Sequence, residues 1–66
     1  MYENVKQKLK EAGEVMVLMD SGEEHELHLH NIKFLDDRKM FKVDAADEIH
    51  WLSGEKVERY WIHKEF

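Results

Sequence analysis

The spacing of apolar residues predicts a helix at the start of this chain. Val5, Leu9 and Ala12 recur at the spacing of one helix face within residues 2–12, and Gly13 follows where a left-handed cap residue is favoured. The apolar stripe is narrow. We therefore expect this helix to lie on a sheet rather than to form the core.

An extended segment with two apolar faces follows the helix. Residues 14–19 would place Val15 and Val17 on one face of a strand, and Met16 and Leu18 on the other. Strands that are apolar on both faces are usually covered on both. We expect one cover to be the core and the other to be the helix or a second subunit.

The longest extended candidate, residues 24–35, changes phase partway. It follows a polar turn in which Gly22 can take a positive φ. Leu27 lies on one parity and Ile32 on the other, so a straight strand would send them to opposite faces. A bulge or a sharp bend near residues 30–31 would bring both to one side.

Two shorter strands and an aromatic tail complete the pattern. Residues 40–44 and 48–52 read as strands, and residues 58–65 fit either a strand or a helix face, with the aromatic and β-branched content favouring a strand. In the shorter strands we expect Phe41, Val43, Ile49 and Trp51 to point inward and His50 to point outward.

Together these elements predict an α+β fold. Residues 1–66 would form a single domain, with an N-terminal helix and a strongly bent antiparallel meander of about five strands that closes into a barrel or half-barrel. A chain of 66 residues has a small core, and domains of this size often gain support from disulfides, a metal or a partner. The absence of cysteine excludes a disulfide and any zinc site built on thiolates.

Charge narrows the classes of partner. The formal net charge is −5, which argues against binding that depends on neutralising phosphates, so nucleic acid is not the expected partner. The sequence has no apolar run long enough for a membrane span and no signal-peptide pattern, so a cytoplasmic location is expected.

Two stretches resemble the Sm-like small β-barrel family. Residues 15–20 with Gly22 are similar to the first strand and turn of the Sm1 motif, and residues 51–57 are similar to the apolar and glycine pattern of the Sm2 motif. The resemblance implies a barrel-like fold and a ring or dimer. Ser53 stands where the family has an arginine before the Sm2 glycine, so the resemblance does not itself imply RNA binding. A divergent Sm-like RNA-binding protein is the alternative function.

Two histidines form the candidate metal site. His28 and His30 are two residues apart and would share one face of a regular strand. Two imidazoles can ligate zinc or another divalent transition metal, with His50, His63 or a nearby carboxylate completing the set. The other interpretation is that both simply occupy the solvent face of a half-buried strand.

No pattern of catalytic residues stands out. Most carboxylates fall in turns, where charge is expected, and neither Ser21 nor Ser53 lies in a nucleophile elbow. The sequence therefore predicts no enzyme and no cofactor.

The tail aromatics and the first strand present more apolar surface than a small fold can hide. We expect a binding or assembly module that acts through self-association, with a homodimer favoured, or through contact with another protein. The interface candidates are Val17, Tyr60, Trp61 and Phe66.

Overall fold

The computed structural model describes residues 1–63, and Phe66 lies outside the described residues. Within them the chain forms one helix and six strands, with two single 3-10 turns. The elements are α1 Tyr2–Ala12, β1 Glu14–Met19, β2 Glu24–His28, β3 Ile32–Leu35, β4 Met40–Asp44, β5 Ile49–Ser53 and β6 Val57–Trp61, with 3-10 turns at Leu29–Asn31 and Gly54–Lys56.

The strands form two antiparallel sheets. The first has the order β2-β1-β6 and the second has the order β3-β4-β5. The 3-10 turn at Leu29–Asn31 divides the long predicted strand into β2 and β3, at the place where the apolar parity changes. A bend there sends the two halves of the segment to different sheets and still lets Leu27 and Ile32 face the same core. The number of strands is therefore six rather than about five.

The predicted closure into a barrel is wrong for the described residues. Residues 1–63 form two separate three-stranded sheets and no closed barrel. The chain passes from one sheet to the other at the two 3-10 turns, first between β2 and β3 and then between β5 and β6. Because the chain changes direction at these turns, the strands on either side of each turn do not continue one hydrogen-bonded ladder.

One core lies between the inward sides of the two sheets, and α1 forms part of it. Tyr2, Val5 and Leu9 are buried in the same cluster as Val17 of the first sheet and Phe41 of the second. The helix was expected to lie on a sheet rather than to form the core, and its buried residues show that it forms part of the core. The buried stripe begins one turn earlier than predicted, because the ring centre of Tyr2 lies 4.8 Å from that of Phe41. Ala12, which was predicted to belong to the apolar stripe, is exposed.

The strand β5 has the opposite phase to the predicted one. Leu52 is buried, whereas Ile49 and Trp51 are 49% and 55% exposed. His50 points inward, and its ring centre lies 5.3 Å from that of His25 in the first sheet. Pairing with β4 sets this phase, since Phe41 is opposite Leu52 and a residue pair of adjacent antiparallel strands shares one face.

Tyr2 and Lys6 connect the helix to the turn between β3 and β4. The Tyr2 hydroxyl donates a hydrogen bond to Asp36 Oδ1 at 2.6 Å, and Lys6 Nζ donates to the same oxygen at 2.7 Å. The bonds from Lys6 and then from Tyr2 lower the pKa of Asp36. Burial, followed by the bond to Asp36 and its charge, raises the pKa of Tyr2 well above its ordinary value of 10.0.

This raised pKa predicts a loss of stability at alkaline pH. The unfolded chain releases the Tyr2 proton near pH 10.0 while the folded chain keeps it, so the stabilisation is complete below that pH and declines above it. We expect Tyr2→Phe to remove this component. Circular dichroism melts of both proteins from about pH 8 to about pH 11 check it, because lysine titration is common to the two. Parallel declines in both proteins would contradict the prediction.

Within residues 1–63, α1 is too short to span a bilayer, and no helix is both long and apolar enough to cross a membrane.

Candidate functional site

The outward side of each sheet carries apolar side chains that the core does not use. In the first sheet, the buried residues Val15 and Val17 alternate with the half-buried Met16 and Leu18. The pairing places Met16 opposite both Glu26 and Trp61, so these three side chains share the outward side. The helix does not lie there, since its buried residues belong to the core on the inward side.

Carboxylates dominate the outward side of the first sheet. Leu18 lies between Glu24 on β2 and Arg59 on β6, and the guanidinium carbon of Arg59 is 5.1 Å from the ring centre of Trp61. Three carboxylates face one guanidinium on this surface. We call it the acidic face, and its residues are Glu14, Met16, Leu18, Glu24, Glu26, His28, Arg59 and Trp61.

The outward side of the second sheet carries positive rather than negative charge. Lys33 is directly opposite Lys42, and Lys42 is directly opposite Trp51, whose ring centre lies 5.8 Å from Lys42 Nζ. Like charges at directly opposed positions destabilise a sheet. Within residues 1–63 neither lysine has a carboxylate within ion-pair distance. We call this surface the basic face, and its residues are Lys33, Lys42, Asp44, Ile49 and Trp51.

A shallow groove borders the basic face. It has a volume of about 220 Å³, and its lining includes His30, Lys33, Lys42 and Ile49. Exposed Trp51 and Ile49 adjoin two lysines that lack counter-ions within the described chain, so the surface combines apolar area with uncompensated positive charge. Such a surface suits an anionic partner that also carries apolar groups.

The interface residues predicted from sequence fall in different places. Val17 is fully buried in the core, so it contributes nothing to an outward surface. Tyr60 is half-buried and packs against the core from the inward side of β6. Of the three, only Trp61 lies on the acidic face. Phe66, the fourth, lies outside the described residues.

The two predicted metal ligands are brought together. The ring centres of His28 and His30 lie 5.2 Å apart, even though His28 ends β2 and His30 lies in the 3-10 turn that follows. The carboxylates that approach His28 are Glu26, at 2.9 Å from Nε2, and Glu14, at 3.7 Å from Nδ1. His50 lies on the inward side of the other sheet and is not part of this cluster.

Sequence reasoning missed the basic face, and it expected a carboxylate near His28 without identifying Glu14 or Glu26. Trp51 was expected in the core, and without an exposed tryptophan beside them Lys42 and Lys33 do not indicate a binding surface. Glu26 could have been found, since it is two residues before His28 on the same strand and therefore on the same face. Glu14 could not, because it meets His28 only through the register of β1 and β2.

Comparison of this chain with protein-family models, with curated proteins and with solved structures found no match, so the resemblance to Sm-like domains stays a prediction.

Proposed function

We propose that this protein is a non-enzymatic assembly module in which the acidic face of one copy packs on the basic face of the next. The observation that carries the proposal is the pairing of two uncovered outward faces of opposite charge on one small chain. Each face also presents a tryptophan, Trp61 on the acidic face and Trp51 on the basic face. Tryptophan is among the residues that contribute most to binding energy at protein interfaces.

Apolar area supplies the driving force of the proposed contact. Trp51 and Ile49 are about half exposed, and Met16, Leu18 and Trp61 are half-buried on the opposite side of the molecule. Contiguous outward apolar groups of this kind mark interaction sites on small proteins. Stacking one face on the other would remove both sets from water.

Charge determines which faces meet. With three carboxylates and one guanidinium the acidic face carries −2, and with two ammonium groups and one carboxylate the basic face carries +1, taking histidine as neutral. Two acidic faces would repel, and so would two basic faces. An acidic face against a basic face attracts, so complementarity favours head-to-tail contact over a two-fold symmetric one.

The proposed contact has a consequence for the size of the assembly. A head-to-tail pair leaves one acidic and one basic face free, so a dimer is the first step and further copies add until the arrangement closes. The predicted homodimer would then be the smallest species rather than the final one.

A charge-swap experiment tests the proposal. One variant carries Glu24→Lys and Glu26→Lys, and the other carries Lys33→Glu and Lys42→Glu. Each variant has two faces of the same sign, so each should sediment as an 8.0 kDa monomer at concentrations where the natural chain is heavier. An equal mixture of the two restores complementary faces and should again give heavier species. EDTA is present throughout, because Glu26 is one of the residues beside His28.

Three outcomes would overturn the proposal. They are a natural chain that stays monomeric at the highest concentration and at low salt, variants that associate as well as the natural chain, and a mixture that stays monomeric. The mixture is the decisive control, because loss of association by a damaged fold cannot be rescued by mixing.

The same variants examine the alternative of Sm-like RNA binding. If the basic face serves nucleic acid, the natural chain would bind an oligonucleotide at low salt with a steep salt dependence. The variant with Lys33→Glu and Lys42→Glu would lose this binding and the variant with Glu24→Lys and Glu26→Lys would keep it. That result, together with a monomeric natural chain, would replace the assembly proposal.

A further inference from the structure

Three potential metal ligands meet at one end of the acidic face. They are Glu14 on β1 and Glu26 and His28 on β2, and one ligand atom from each lies within 4.8 Å of the others. Glu14 is directly opposite His28 in the ladder, and Glu26 lies two residues before His28 on the same side of the strand. Two paired strands therefore fix the positions of all three side chains.

The ligand atoms lie near one another, and an ion would replace the hydrogen bond between Glu26 and His28. In a tetrahedral zinc site with bonds of about 2.0–2.1 Å, neighbouring ligand atoms are about 3.3 Å apart. Glu26 Oε1 lies 2.9 Å from His28 Nε2, and Glu14 Oε2 lies 3.7 Å from His28 Nδ1. The carboxylates approach different ring nitrogens, so one of the two glutamate side chains must change rotamer to place both carboxylates around an ion held by one nitrogen.

His30 is a candidate fourth ligand, although its nitrogens lie outside the group of three ligand atoms. The backbone N–H of His28 donates a hydrogen bond to Asn31 Oδ1 at 3.0 Å, which ties β2 to the 3-10 turn that follows. The turn holds the His30 ring with its centre 5.2 Å from that of His28. His30 is exposed, so its ring is free to turn toward an ion held by the other three side chains.

We propose that Glu14, Glu26 and His28, with His30 as a fourth ligand, bind a divalent transition-metal ion of the zinc class. Imidazole nitrogen combined with carboxylate oxygen suits zinc, nickel or cobalt, whereas calcium and magnesium prefer oxygen ligands alone. Four side chains would satisfy a tetrahedral ion. The bound ion would also offset negative charge on the acidic face.

The chain contains its own matched control. His50 Nε2 lies 3.0 Å from Glu48 Oε1, and Glu48 precedes His50 by two residues as Glu26 precedes His28. Within residues 1–63 no third ligand atom lies within 4.8 Å of both Glu48 and His50, and the nearby imidazole is that of His25, with its ring centre 5.3 Å from that of His50. A glutamate two residues before a histidine occurs three times, in Glu23 and His25, Glu26 and His28, and Glu48 and His50. Within residues 1–63 only the pair of Glu26 and His28 gains an additional carboxylate within 4.8 Å.

Zinc titration followed by calorimetry and by thermal melting tests the proposal. Zinc should bind with one ion per chain and raise the midpoint in the natural chain and in His50→Ala. Both effects should be lost in His28→Ala and in the isosteric variant Glu26→Gln, and His30→Ala should weaken binding about tenfold. Melts without metal establish that each variant is folded before zinc is added.

Nuclear magnetic resonance provides a second measurement that does not depend on stability. Imidazole signals of His28 and His30 should move on addition of zinc, while those of His50 stay in place. Absence of zinc binding to the natural chain at millimolar concentration would overturn the proposal. Equal binding by natural chain and His28→Ala, or a loss caused by His50→Ala, would do the same.

Discussion

Replacing Gly54 by alanine should cost about 3 kcal/mol or more, the upper end of the range for overpacking a close contact. An ideal Cβ at Gly54 would lie 2.8 Å from Tyr2 Cα, and Tyr2 Cβ would be closer still. Tyr2 is held by the Asp36 hydrogen bond and by Phe41, so it cannot move aside without lifting the start of the helix. A domain of this size has a total free energy of unfolding of about 3–10 kcal/mol, so the substitution would remove a large part or all of it.

Gly22→Ala is the matched control for this substitution. Gly22 has a φ of 93°, and nothing lies within 4 Å of its added Cβ. Its cost is therefore only that of a left-handed backbone, about 1–2 kcal/mol. Urea unfolding followed by circular dichroism measures both variants. Equal stability of Gly54→Ala and Gly22→Ala would show that the helix does not pack against the second 3-10 turn as described.

The contact between residues 2 and 54 shows where local reasoning ends. Ser53 and Gly54 mark a break in the chain, and that much is visible in the sequence. The need for glycine arises from Tyr2, which is 52 positions away (54 − 2) and outside the predicted apolar stripe of the helix. No local pattern encodes such an approach, so this steric constraint was not predicted.

The helix and the first strand were predictable because each has one dominant period. Helical spacing within residues 2–12 and alternation over residues 14–19 correspond to α1 and β1 with the same bounds. The change of parity before Ile32 likewise marks the 3-10 turn at Leu29–Asn31. In these segments the local preference and the packing of the core agree, so the sequence alone is informative.

The strand β5 is different because both of its parities contain large apolar groups. Ile49 and Trp51 occupy one parity and Leu52 the other. Alternation alone then favours burial of the two larger residues, whereas register with β4 buries Leu52 opposite Phe41. Because the phase of β5 was predicted wrongly, the basic face was not predicted. It is recognised as a candidate interface only when Trp51 is exposed beside Lys33 and Lys42. The candidate metal site was half predictable, through His28 and His30, while Glu14 depends on pairing between strands.

Glutamate substitutions at two adjacent positions of β5 should therefore have opposite results. Leu52→Glu should unfold the domain, because it places a carboxylate beside Phe41 in a core that holds no buried polar or charged residue among those described. An unpaired buried charge costs more than about 4 kcal/mol, which is comparable to the whole stability of the domain. Circular dichroism in the absence of denaturant should show the loss of β structure directly.

Trp51→Glu should leave the free energy of unfolding within about 0.5 kcal/mol of the natural chain, as is usual for an outward surface position. Its carboxylate would lie opposite Lys42, where it relieves the repulsion between Lys42 and Lys33. The same change removes the tryptophan and the positive sign of the basic face, so sedimentation should show weaker self-association by a folded protein. If Trp51→Glu unfolds the protein and Leu52→Glu does not, then Trp51 points inward and Leu52 points outward. The basic face would in that case have no exposed tryptophan.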